Sequence, residues 1–471
     1  MKAAGGRVTI GKYLNGHDPV APHPACAVPY RQHQDDSMNI QTPRQPLGPQ
    51  PWEVVRTKLD QALPFANMRG TPYYRDAVWE QFSEKEYARR YAALRDKMKE
   101  HKLDCVIAAG GPSHWSFGAG TLWLTGHVEW HALASYVLVP RDGEPTMIYS
   151  MGGTHAEAVR RHVAPAIKDV RHSRNGRYAE VMVERLKELK LERGRIGLME
   201  IDPRHEDYMP VNQYNTLRAG LPDAELVFTK NFLHDLVVIH SAEELDCIRK
   251  AGVLCERAME AMVARAKPGA KEYELRAAAG SAILDGGGDI DFLIIGSTPM
   301  DNPAMIFGNP RPSSRVLKKG DIINMELAAG YRGYTAQVGS PITLGAPTEM
   351  VRKFWNEITL PGYHKIVAEI APGRPAEAMR EAAKFFRDNG VQSRPTQCHG
   401  IDLVTDNPHV AAEHVRGVEG DMILKPGMVI MAEPNPITAD GMFGIFLGHT
   451  FIVTQAGHEV VDKFPLEIAV A

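Results

Sequence analysis

The sequence has few cysteines, no long apolar run and no clear excess of either charge. Its five cysteines include no CxxC pair and form no regular framework, which is typical of a reducing compartment. No apolar stretch approaches the roughly 20 residues that a membrane-spanning helix needs, and the N-terminus lacks the pattern of a signal peptide. The 54 Lys and Arg residues nearly balance the 57 Asp and Glu residues, which argues against nucleic acid and membrane surfaces as partners. We therefore expect a cytoplasmic enzyme with a small neutral or zwitterionic substrate.

The length and the local composition predict two domains behind an extended arm. A chain of 471 residues is too long for one ordinary hydrophobic core. Residues 1–71 are rich in Pro, Gly, Gln and His and show no sustained period, so we interpret them as an arm that is either free in solvent or wrapped around a partner subunit. Met38 is an alternative start. We predict a small α/β domain at residues 72–235 and a second domain at residues 236–471.

The first domain is predicted from alternating helix and strand patterns. Apolar residues recur every three or four positions from Glu84 to Leu103, which indicates an amphipathic helix. Short apolar runs bounded by turn residues indicate strands. The predicted strands are Asp104–Ala109, Ala132–Pro140, Pro145–Tyr149, Arg195–Glu200 and Glu225–Phe228, and further helices are predicted at Arg177–Leu189 and Val211–Ala219.

A capping box marks the first helix of the second domain. Ser241 precedes a helical pattern and Glu244 follows three residues later, so that each side chain can bond to the backbone N–H group of the other residue. The next helix is predicted at Glu272–Leu284, where consecutive glycines end it. A strand is predicted at Phe292–Gly296.

One stretch in the last third of the chain places polar groups inside an apolar hairpin. The turn at Gly320–Asp321 precedes an apolar run that predicts a buried strand containing Glu326. A second turn at Gly330–Gly333 returns the chain as the other arm, from Tyr334 to Ile342, with Gln337 facing the region of Glu326. A carboxylate in such a strand needs a partner, so we expect Glu326 and Gln337 to meet.

This hairpin resembles the signature hairpin of the pita-bread family, which includes methionine aminopeptidase, prolidase, aminopeptidase P and creatinase. Its peptidase members carry two metal-binding aspartates eleven residues apart, at the positions of Glu326 and Gln337. The run Leu424–Pro434 matches the family pattern LKPGMVxxxEP, and the resemblance is continuous from the helix after Ser241 to the C-terminus. The resemblance implies an α+β fold, with a C-terminal pita-bread domain preceded by a small α/β N-terminal domain.

The resemblance also assigns the family's chemistry positions to residues of this chain. His399, within Cys398–Asp402, matches the metal-binding or proton-transferring histidine of the GHGxG motif, and Glu433 matches the pocket glutamate. The position of the peptidases' catalytic histidine is Asn309. The family's last metal-ligating glutamate falls on Gly448.

The metal positions of the family hold too few anionic ligands here for a pair of cations. The peptidases fill them with two Asp, one His and two Glu residues, whereas this chain has Glu326, Gln337, His399, Glu433 and Gly448. We therefore predict no metal and no other cofactor. As an alternative, two carboxylates and one imidazole can hold a single ion, and His449 joins them if its strand slips by one residue.

Direct acid–base chemistry is the favoured prediction. Two carboxyl groups close together in an apolar pocket have their pKa values forced apart, so one of Glu326 and Glu433 is expected to stay protonated while His399 is poised near neutrality. The resemblance to creatinase, the metal-free family member, supports this arrangement, although creatinase keeps the histidine that is Asn309 here. Asp406 is a candidate replacement base, because DMSP-cleaving lyases of the family use an aspartate near this place.

The candidate site residues fall into three groups. The predicted catalytic residues are His399, Glu433, Glu326 and Asp406. The predicted substrate-binding residues are Asn309, Gln337, Arg332 and His449. Further candidates are Asp402 near His399 and, as clamps for a substrate carboxylate, Arg311, Arg332 and Arg416.

The resemblance also implies a homodimer. In the prolidase and creatinase branch, the N-terminal domain lies over the pocket of the neighbouring subunit and completes it. The candidates for this lid are His127, Glu129, Trp130 and His131.

The leading functional prediction is a metal-independent, creatinase-like hydrolase that cleaves a C–N or related bond in a small polar metabolite. In this prediction His399 is the general acid/base, and Glu433 and Glu326 orient the substrate or activate water. Three alternatives are a lyase that abstracts a proton through Asp406 or His399, an Xaa-Pro-type metallopeptidase, and a non-catalytic binding module.

Overall fold

The computed structural model describes most of the chain from residue 81 onward. It covers residues 81–110, 118–127, 134–150, 163–164, 166–201, 207–403, 405–412, 415–416 and 422–471, without the side chains of residues 405, 406, 415 and 416. The arm predicted at residues 1–71 lies outside the described residues. Within the described ranges, no helix has the length and apolar character needed to cross a bilayer.

A mixed sheet forms the centre of the first domain. Its strands are β1 (Cys105–Gly110), β2 (Ser135–Pro140), β3 (Thr146–Tyr149), β4 (Asp169–His172), β5 (Arg195–Leu198) and β6 (Glu225–Phe228). Their order among the described residues is β4-β3-β2-β1-β5-β6, with β1 antiparallel to β2 and parallel to β5. The accompanying helices are α1 (Glu84–Glu100), α2 (Ala119–Thr125), α3 (Tyr178–Glu188), α4 (Val211–Gly220) and α5 (Phe232–Val237).

Both faces of this sheet are covered, because side chains alternate along a strand. In β1, Val106 and Ala108 belong to the hydrophobic core that also contains residues of α1, α2 and α5. Cys105 and Ile107 belong to a separate core with α3. The short apolar run of β1 is therefore buried on both sides, as a central strand of an α/β domain requires.

A buried arginine joins α1 to the second domain. Arg90 is fully buried, and its guanidinium lies 2.8 Å from Glu86 and 2.9 Å from Glu244. Glu244 belongs to the first turn of α6 (Ala242–Arg265), which starts the second domain. Tyr334 also donates a hydrogen bond of 2.7 Å to Glu244. Because a buried charge needs polar partners, this group of side chains fixes where α1 contacts the second domain.

The second domain is built on a large, mostly antiparallel sheet. Its strands are β7 (Asp289–Pro299), β8 (Asp321–Tyr331), β9 (Tyr334–Gly339), β10 (Ile342–Thr343), β12 (Thr396–Ile401), β13 (Thr405–Ala411), β14 (Val415–Arg416), β15 (Val429–Ala432), β17 (Gly448–Val453), β18 (His458–Val460) and β19 (Ala469–Val470). The order among the described residues is β14-β13-β12-β15-β17-β9-β8-β10-β19, and β18 and β7 pair with β17 and β8. Two short strands, β11 (Gln392–Ser393) and β16 (Pro436–Ile437), pair separately.

Helices cover this sheet on both faces. In addition to α6 they are α7 (Glu272–Asp285), α8 (Glu349–Phe354), α9 (Leu360–Val367) and α10 (Ala376–Asp388), with a π-helical turn at Trp355–Thr359 between α8 and α9. Val429 and Met431 of β15 share a core with α6 and α7, whereas Ile430 and Ala432 share the other core with α8, α9 and α10. Residues that neighbour each other on a strand therefore point to opposite faces of the sheet and contact different cores.

The hairpin predicted around Glu326 is present. β8 and β9 pair antiparallel, with Ala328 opposite Gln337. The return arm is shorter than predicted, because β9 ends at Gly339 and Pro341 has no N–H group to continue the ladder. The chain then pairs through Ile342 and Thr343 with the beginning of β8.

The structure confirms the predicted fold class, a small α/β domain followed by an α+β domain. The capping box is present: Ser241 Oγ accepts from the Glu244 N–H group at 3.2 Å, and a Glu244 carboxylate oxygen accepts from the Ser241 N–H group at 2.7 Å. The strand predicted at Phe292–Gly296 is longer, Asp289–Pro299, because β8 pairs with it along nearly its whole length.

Candidate active site

Four side chains from neighbouring strands meet in one buried group, which we call the Glu326 cluster: Glu326, Gln337, His399 and Glu433. Gln337 Nε2 donates hydrogen bonds to Glu326 Oε1 and to Glu433 Oε2, both at 2.7 Å. His399 Nε2 lies 3.5 Å from Glu433 Oε1. None of the four residues is more than 7% exposed. The predicted meeting of Glu326 and Gln337 is therefore observed, and Glu433 and His399 join them.

Strand register explains why these distant residues meet. Met431 of β15 lies opposite His399 on one side and Thr450 on the other. Thr450 Oγ1 accepts a hydrogen bond from the Gln337 N–H group and donates one to the Gln337 carbonyl, both at 2.9 Å. Glu433 lies two residues beyond Met431 and points to the same face. The order of strands β12, β15, β17 and β9 thus places the His399, Glu433 and Gln337 side chains side by side.

The Gln337 amide is the link between the two carboxyl groups. A side-chain NH₂ group has two hydrogens, and each carboxyl group of the Glu326 cluster accepts one of them. A carboxylate at position 337 has no hydrogen to donate. Gln337 therefore bridges the carboxyl groups of Glu326 and Glu433 through two hydrogen bonds and adds no charge to the cluster.

The two ring nitrogens of His399 face different groups. Its Nδ1 atom lies 2.9 Å from the Gly400 carbonyl oxygen, so Nδ1 carries a hydrogen and donates it. Nε2 then faces Glu433 and can either hold or accept a proton. This backbone contact fixes the ring so that Nε2 faces the Glu433 carboxyl group.

Burial makes Glu326 hard to ionise. It raises the pKa of Glu326 well above its usual value, and the nearby Glu433 carboxyl group raises this pKa further. Arg394 acts in the opposite direction, because its Nη1 atom lies 3.8 Å from Glu326 Oε2. We therefore expect Glu326 to be the protonated member of the carboxyl pair at neutral pH.

The residues present do not fit a pair of metal ions. An N–H group of Gln337 points at each carboxyl group, at the place where a bridging cation would need an anionic ligand. A Cβ atom on Gly448 would lie 3.2 Å from Glu433 Cβ and 2.4 Å from Met431 Cε, so this position faces the cluster but contributes no ligand. In the part of the chain that the structure describes, no group of three or more His, Cys, Asp or Glu side chains is arranged for a metal ion.

The structure does not bring His449 to the Glu326 cluster. The strand slip that was considered as an alternative is absent, since β17 pairs Gly448 with Gly339 and His449 with Val338. His449 therefore points to the opposite face of the sheet, where its Nδ1 atom lies 2.9 Å from the Tyr363 hydroxyl group. The structure therefore does not bring His449 together with Gln337, which was predicted as a substrate-binding residue alongside it.

The structure places Asn309 beside β7, the strand that pairs with the Glu326 segment of β8, and places Arg332 in the turn of the hairpin. The Asn309 backbone pairs with Ile295 at both its N–H and carbonyl groups, and its side chain is exposed. Arg311 is exposed as well. Arg332 lies in the turn of the hairpin, where its guanidinium stacks 4.1 Å from the centre of the Phe82 ring. Because Arg332 follows Glu326 by six positions and the chain between them is the extended strand β8, roughly 20 Å separate their backbones.

Asp402 is engaged elsewhere. Its carboxylate lies 3.2 Å from His240 Nε2, and both side chains are buried. The backbone of Asp406 pairs with Gly400, but the side chains of Asp406 and Arg416 lie outside the described part of the structure.

The predicted lid residues are only partly described. The His127 ring packs edge-on against Tyr149 with 5.4 Å between the ring centres. Glu129, Trp130 and His131 lie outside the described residues.

Arg394 is a site residue that the sequence did not reveal. Its guanidinium stacks 3.7 Å from the centre of the Phe307 ring and reaches the edge of the Glu326 cluster. Its side chain is 32% exposed, so one side of the cation faces solvent. Arg394 precedes β12 and matches no pattern in the sequence, and only its position five residues before His399 could have suggested it.

Two family models match adjacent parts of the chain. Residues 90–236 match the Creatinase/Prolidase N-terminal domain, and residues 246–455 match Metallopeptidase family M24. The uncharacterized hydrolase/peptidase y4tL of Sinorhizobium fredii is 24% identical over 421 residues, covering 83% of this chain and 97% of that protein. The Xaa-Pro dipeptidase of Pyrococcus horikoshii is 23% identical over 270 residues, covering 56% of this chain and 73% of that protein.

Solved structures show the same architecture. The X-Pro aminopeptidase of Thermotoga maritima superposes with a TM-score of 0.68 at 19% identity, covering 81% of this chain and 99% of that chain. The prolidase of Pyrococcus horikoshii gives a TM-score of 0.66 at 21% identity, covering 81% of this chain and 99% of that chain. The chain therefore has the two-part architecture of these structures, with a region that matches the Creatinase/Prolidase N-terminal domain followed by a pita-bread domain that matches Metallopeptidase family M24.

Proposed function

We propose that this protein is a hydrolase that cleaves a C–N bond of a small polar substrate with its own side chains as acid and base. The observation that carries the proposal is the Gln337 amide, which occupies the space between Glu326 and Glu433 with two 2.7 Å hydrogen bonds. The family relationship supports hydrolysis as the reaction class. The donor set of the Glu326 cluster favours proton transfer over metal chemistry.

The proposed reaction uses His399 as the proton carrier. His399 Nε2 takes a proton from water while the water oxygen forms a bond to the substrate carbon. The same proton then passes to the substrate nitrogen as the C–N bond breaks, which returns the imidazole to its starting state. Glu433, 3.5 Å from Nε2, stabilises the positive imidazolium that exists between these two transfers.

Glu326 has a separate role in this proposal. Its raised pKa favours the neutral acid, which can donate a hydrogen bond to an oxygen or nitrogen atom of the substrate. Arg394 at the edge of the cluster adds a positive charge, so substrates with an anionic group are favoured. We further propose, from the family relationship, a homodimer.

An activity screen of chelator-treated enzyme tests the proposal. The substrates are creatine, related guanidino acids, simple amides and Xaa-Pro dipeptides, and the products are measured by mass spectrometry. We expect turnover that persists after metal removal and is lost in His399→Gln. The matched control is His458→Ala, a change at an exposed histidine on β18 that should leave turnover unchanged. Chelator-resistant turnover that is unchanged in His399→Gln would remove this histidine from the mechanism.

The second candidate is an Xaa-Pro-type metallopeptidase. Related proteins favour it, since they include an Xaa-Pro dipeptidase and an X-Pro aminopeptidase. In the same screen this candidate predicts cleavage of Xaa-Pro dipeptides that disappears with the chelator and returns with Mn²⁺, Zn²⁺ or Fe²⁺. Elimination products without water uptake would instead favour the lyase alternative, and the absence of any turnover would favour a binding module.

A further inference from the structure

The guanidinium of Arg394 lies at the edge of the Glu326 cluster, and no described residue accepts a hydrogen bond from it. Its Nη1 atom is 3.8 Å from Glu326 Oε2, which is beyond hydrogen-bonding distance. An arginine side chain carries several N–H donors in one plane, and 32% of this side chain is exposed. The Arg394 donors are therefore accessible to a molecule that binds at the cluster.

One face of the Arg394 guanidinium is covered by an aromatic ring. The Arg394 Cζ atom lies 3.7 Å from the centre of the Phe307 ring. A cation over an aromatic face is attracted by the negative charge of that face. Because Phe307 covers this face and the N–H groups lie in the plane of the guanidinium, a ligand reaches Arg394 at its edge.

The backbone on both sides of Phe307 is fixed by hydrogen bonds. The Met305 N–H group donates to the Met442 carbonyl at 2.9 Å. Asn309 and Ile295 exchange two backbone hydrogen bonds, of 3.0 and 3.2 Å. Phe307 therefore lies in a short segment that is anchored before and after it.

The Phe307 ring is also connected to the strand that carries Glu326. It packs against Phe446 with 5.4 Å between the ring centres. The Phe446 N–H group donates a hydrogen bond of 2.9 Å to Asn324 Oδ1, and Asn324 is 1% exposed. Asn324 lies in β8, two residues before Glu326. These contacts fix the Phe307 ring relative to Glu326, and the stack then fixes the Arg394 guanidinium.

The charge at the cluster indicates which kind of anion fits Arg394. In the described part of the chain, no other Lys or Arg side chain lies within ion-pair distance of Glu326 or Glu433. One guanidinium matches one carboxylate, because two parallel N–H groups can bond to its two oxygens. A phosphate group with nearly two negative charges would leave about one of them uncompensated beside two carboxyl groups. A carboxylate is therefore the better match.

We propose that Phe307 determines the specificity of the proposed hydrolysis, because it holds the Arg394 guanidinium at the place where a carboxylate of the substrate binds. Arg394 contacts the substrate, whereas Phe307 acts through Arg394 and is a positioning residue. The inference rests on the proposed function and narrows its substrates to small molecules that carry a carboxylate near the C–N bond that is cleaved.

Two probes of the same size test the carboxylate: N-acetylglycine and its neutral amide, N-acetylglycinamide. Calorimetry at neutral pH measures their binding to the full-length protein with His399→Gln, which prevents turnover of the probes. We expect N-acetylglycine to bind about tenfold more tightly, because only its carboxylate forms charge-assisted hydrogen bonds with Arg394. Equal binding of the two probes, or no binding of N-acetylglycine, would overturn the inference.

Variants then assign this preference to the stack. In the same protein, Phe307→Leu should reduce the preference for N-acetylglycine about threefold to fivefold, because the aromatic face is lost, and Phe307→Tyr should retain it. Arg394→Met should abolish the preference, and adding Phe307→Leu should then have no further effect on it. A preference that is unchanged in Phe307→Leu, or one that Phe307→Leu lowers equally without Arg394, would contradict the positioning role.

Phe385→Leu is the matched control. Lys365 Nζ lies 5.5 Å from the centre of the Phe385 ring, in a contact between α9 and α10, and neither helix contributes a residue to the Glu326 cluster. This change should leave the binding of both probes unchanged, and a loss of preference as large as in Phe307→Leu would contradict the assignment.

The binding experiments and the activity screen can fail separately. Binding that depends on Arg394 and Phe307, together with no C–N cleavage by the wild-type protein, would contradict the proposed hydrolysis and support the carboxylate site. Chelator-resistant hydrolysis together with equal binding of the two probes would contradict this inference alone.

Discussion

Replacing Gln337 by glutamate tests the electrostatic arrangement of the Glu326 cluster most sharply. The side chain keeps its size, but its NH₂ group becomes an oxygen, so both 2.7 Å hydrogen bonds to Glu326 and Glu433 lose their donor. A third carboxyl group then lies within hydrogen-bonding distance of two others in a buried site. The folded variant should respond by binding an additional proton.

The magnitude follows from proton linkage. Consider a carboxyl group whose pKa is higher in the folded protein than in the unfolded protein, where it is near 4.3. Such a group makes its full contribution to the free energy of unfolding only below the unfolded-state pKa. This contribution is lost as the pH rises through the folded-state pKa. Each such group changes the free energy of unfolding by about −1.4 kcal/mol per pH unit in this window. Wild type has this dependence from Glu326. Gln337→Glu should add a second group of this kind. The free energy of unfolding of the variant should therefore fall, relative to wild type, by a further amount of about 3 kcal/mol between pH 5 and pH 7.

Urea denaturation of both proteins across this pH range measures the effect. Asp462, whose pKa is raised to about 8, has the same dependence in both proteins and cancels in the difference. Gln337→Met is the control, since it removes the same N–H donors without adding a titratable group, and its deficit should vary much less with pH. A Gln337→Glu deficit that stays constant from pH 5 to pH 7 would refute the reasoning.

The remaining predictions concern three other contacts. Arg394→Met should raise the KM for substrates with an anionic group about tenfold and leave neutral substrates unchanged, because only the charge is lost, and steady-state kinetics with matched substrate pairs measures this. Ser241→Ala should lower the free energy of unfolding by about 1 kcal/mol in urea denaturation, because the helix cap is lost. Gly448→Ala should lower the free energy of unfolding by about 1–2 kcal/mol, because the added Cβ would crowd Met431 and Glu433. A decrease smaller than the error of the urea denaturation curves would contradict this packing.

The hairpin was predictable from the sequence because its signals are local. Glycine turns on both sides of an apolar run defined β8, and a period of two placed Gln337 on the side of Glu326. The meeting of these residues with His399 and Glu433 needed the order of strands in the sheet, which only the family resemblance supplied. Local pattern and resemblance together therefore gave most of the Glu326 cluster.

The sequence did not reveal the position of side chains whose direction depends on distant contacts. His449 follows Gly448 directly, yet alternation along β17 turns it to the other face of the sheet, towards Tyr363. Arg332 is close to Glu326 in the sequence, but an extended strand carries it away to Phe82. Arg394 was missed because its partner Phe307 is far away in the sequence.

The metal content of the purified protein tests the central claim most directly. The claim is that Gln337 and Gly448 leave the Glu326 cluster without the ligands for a pair of cations. Elemental analysis after dialysis should find no metal ions bound as a stoichiometric pair, and added Mn²⁺, Zn²⁺ or Fe²⁺ should not raise turnover. Two tightly held ions per chain, lost together with activity when a chelator is added, would contradict the account.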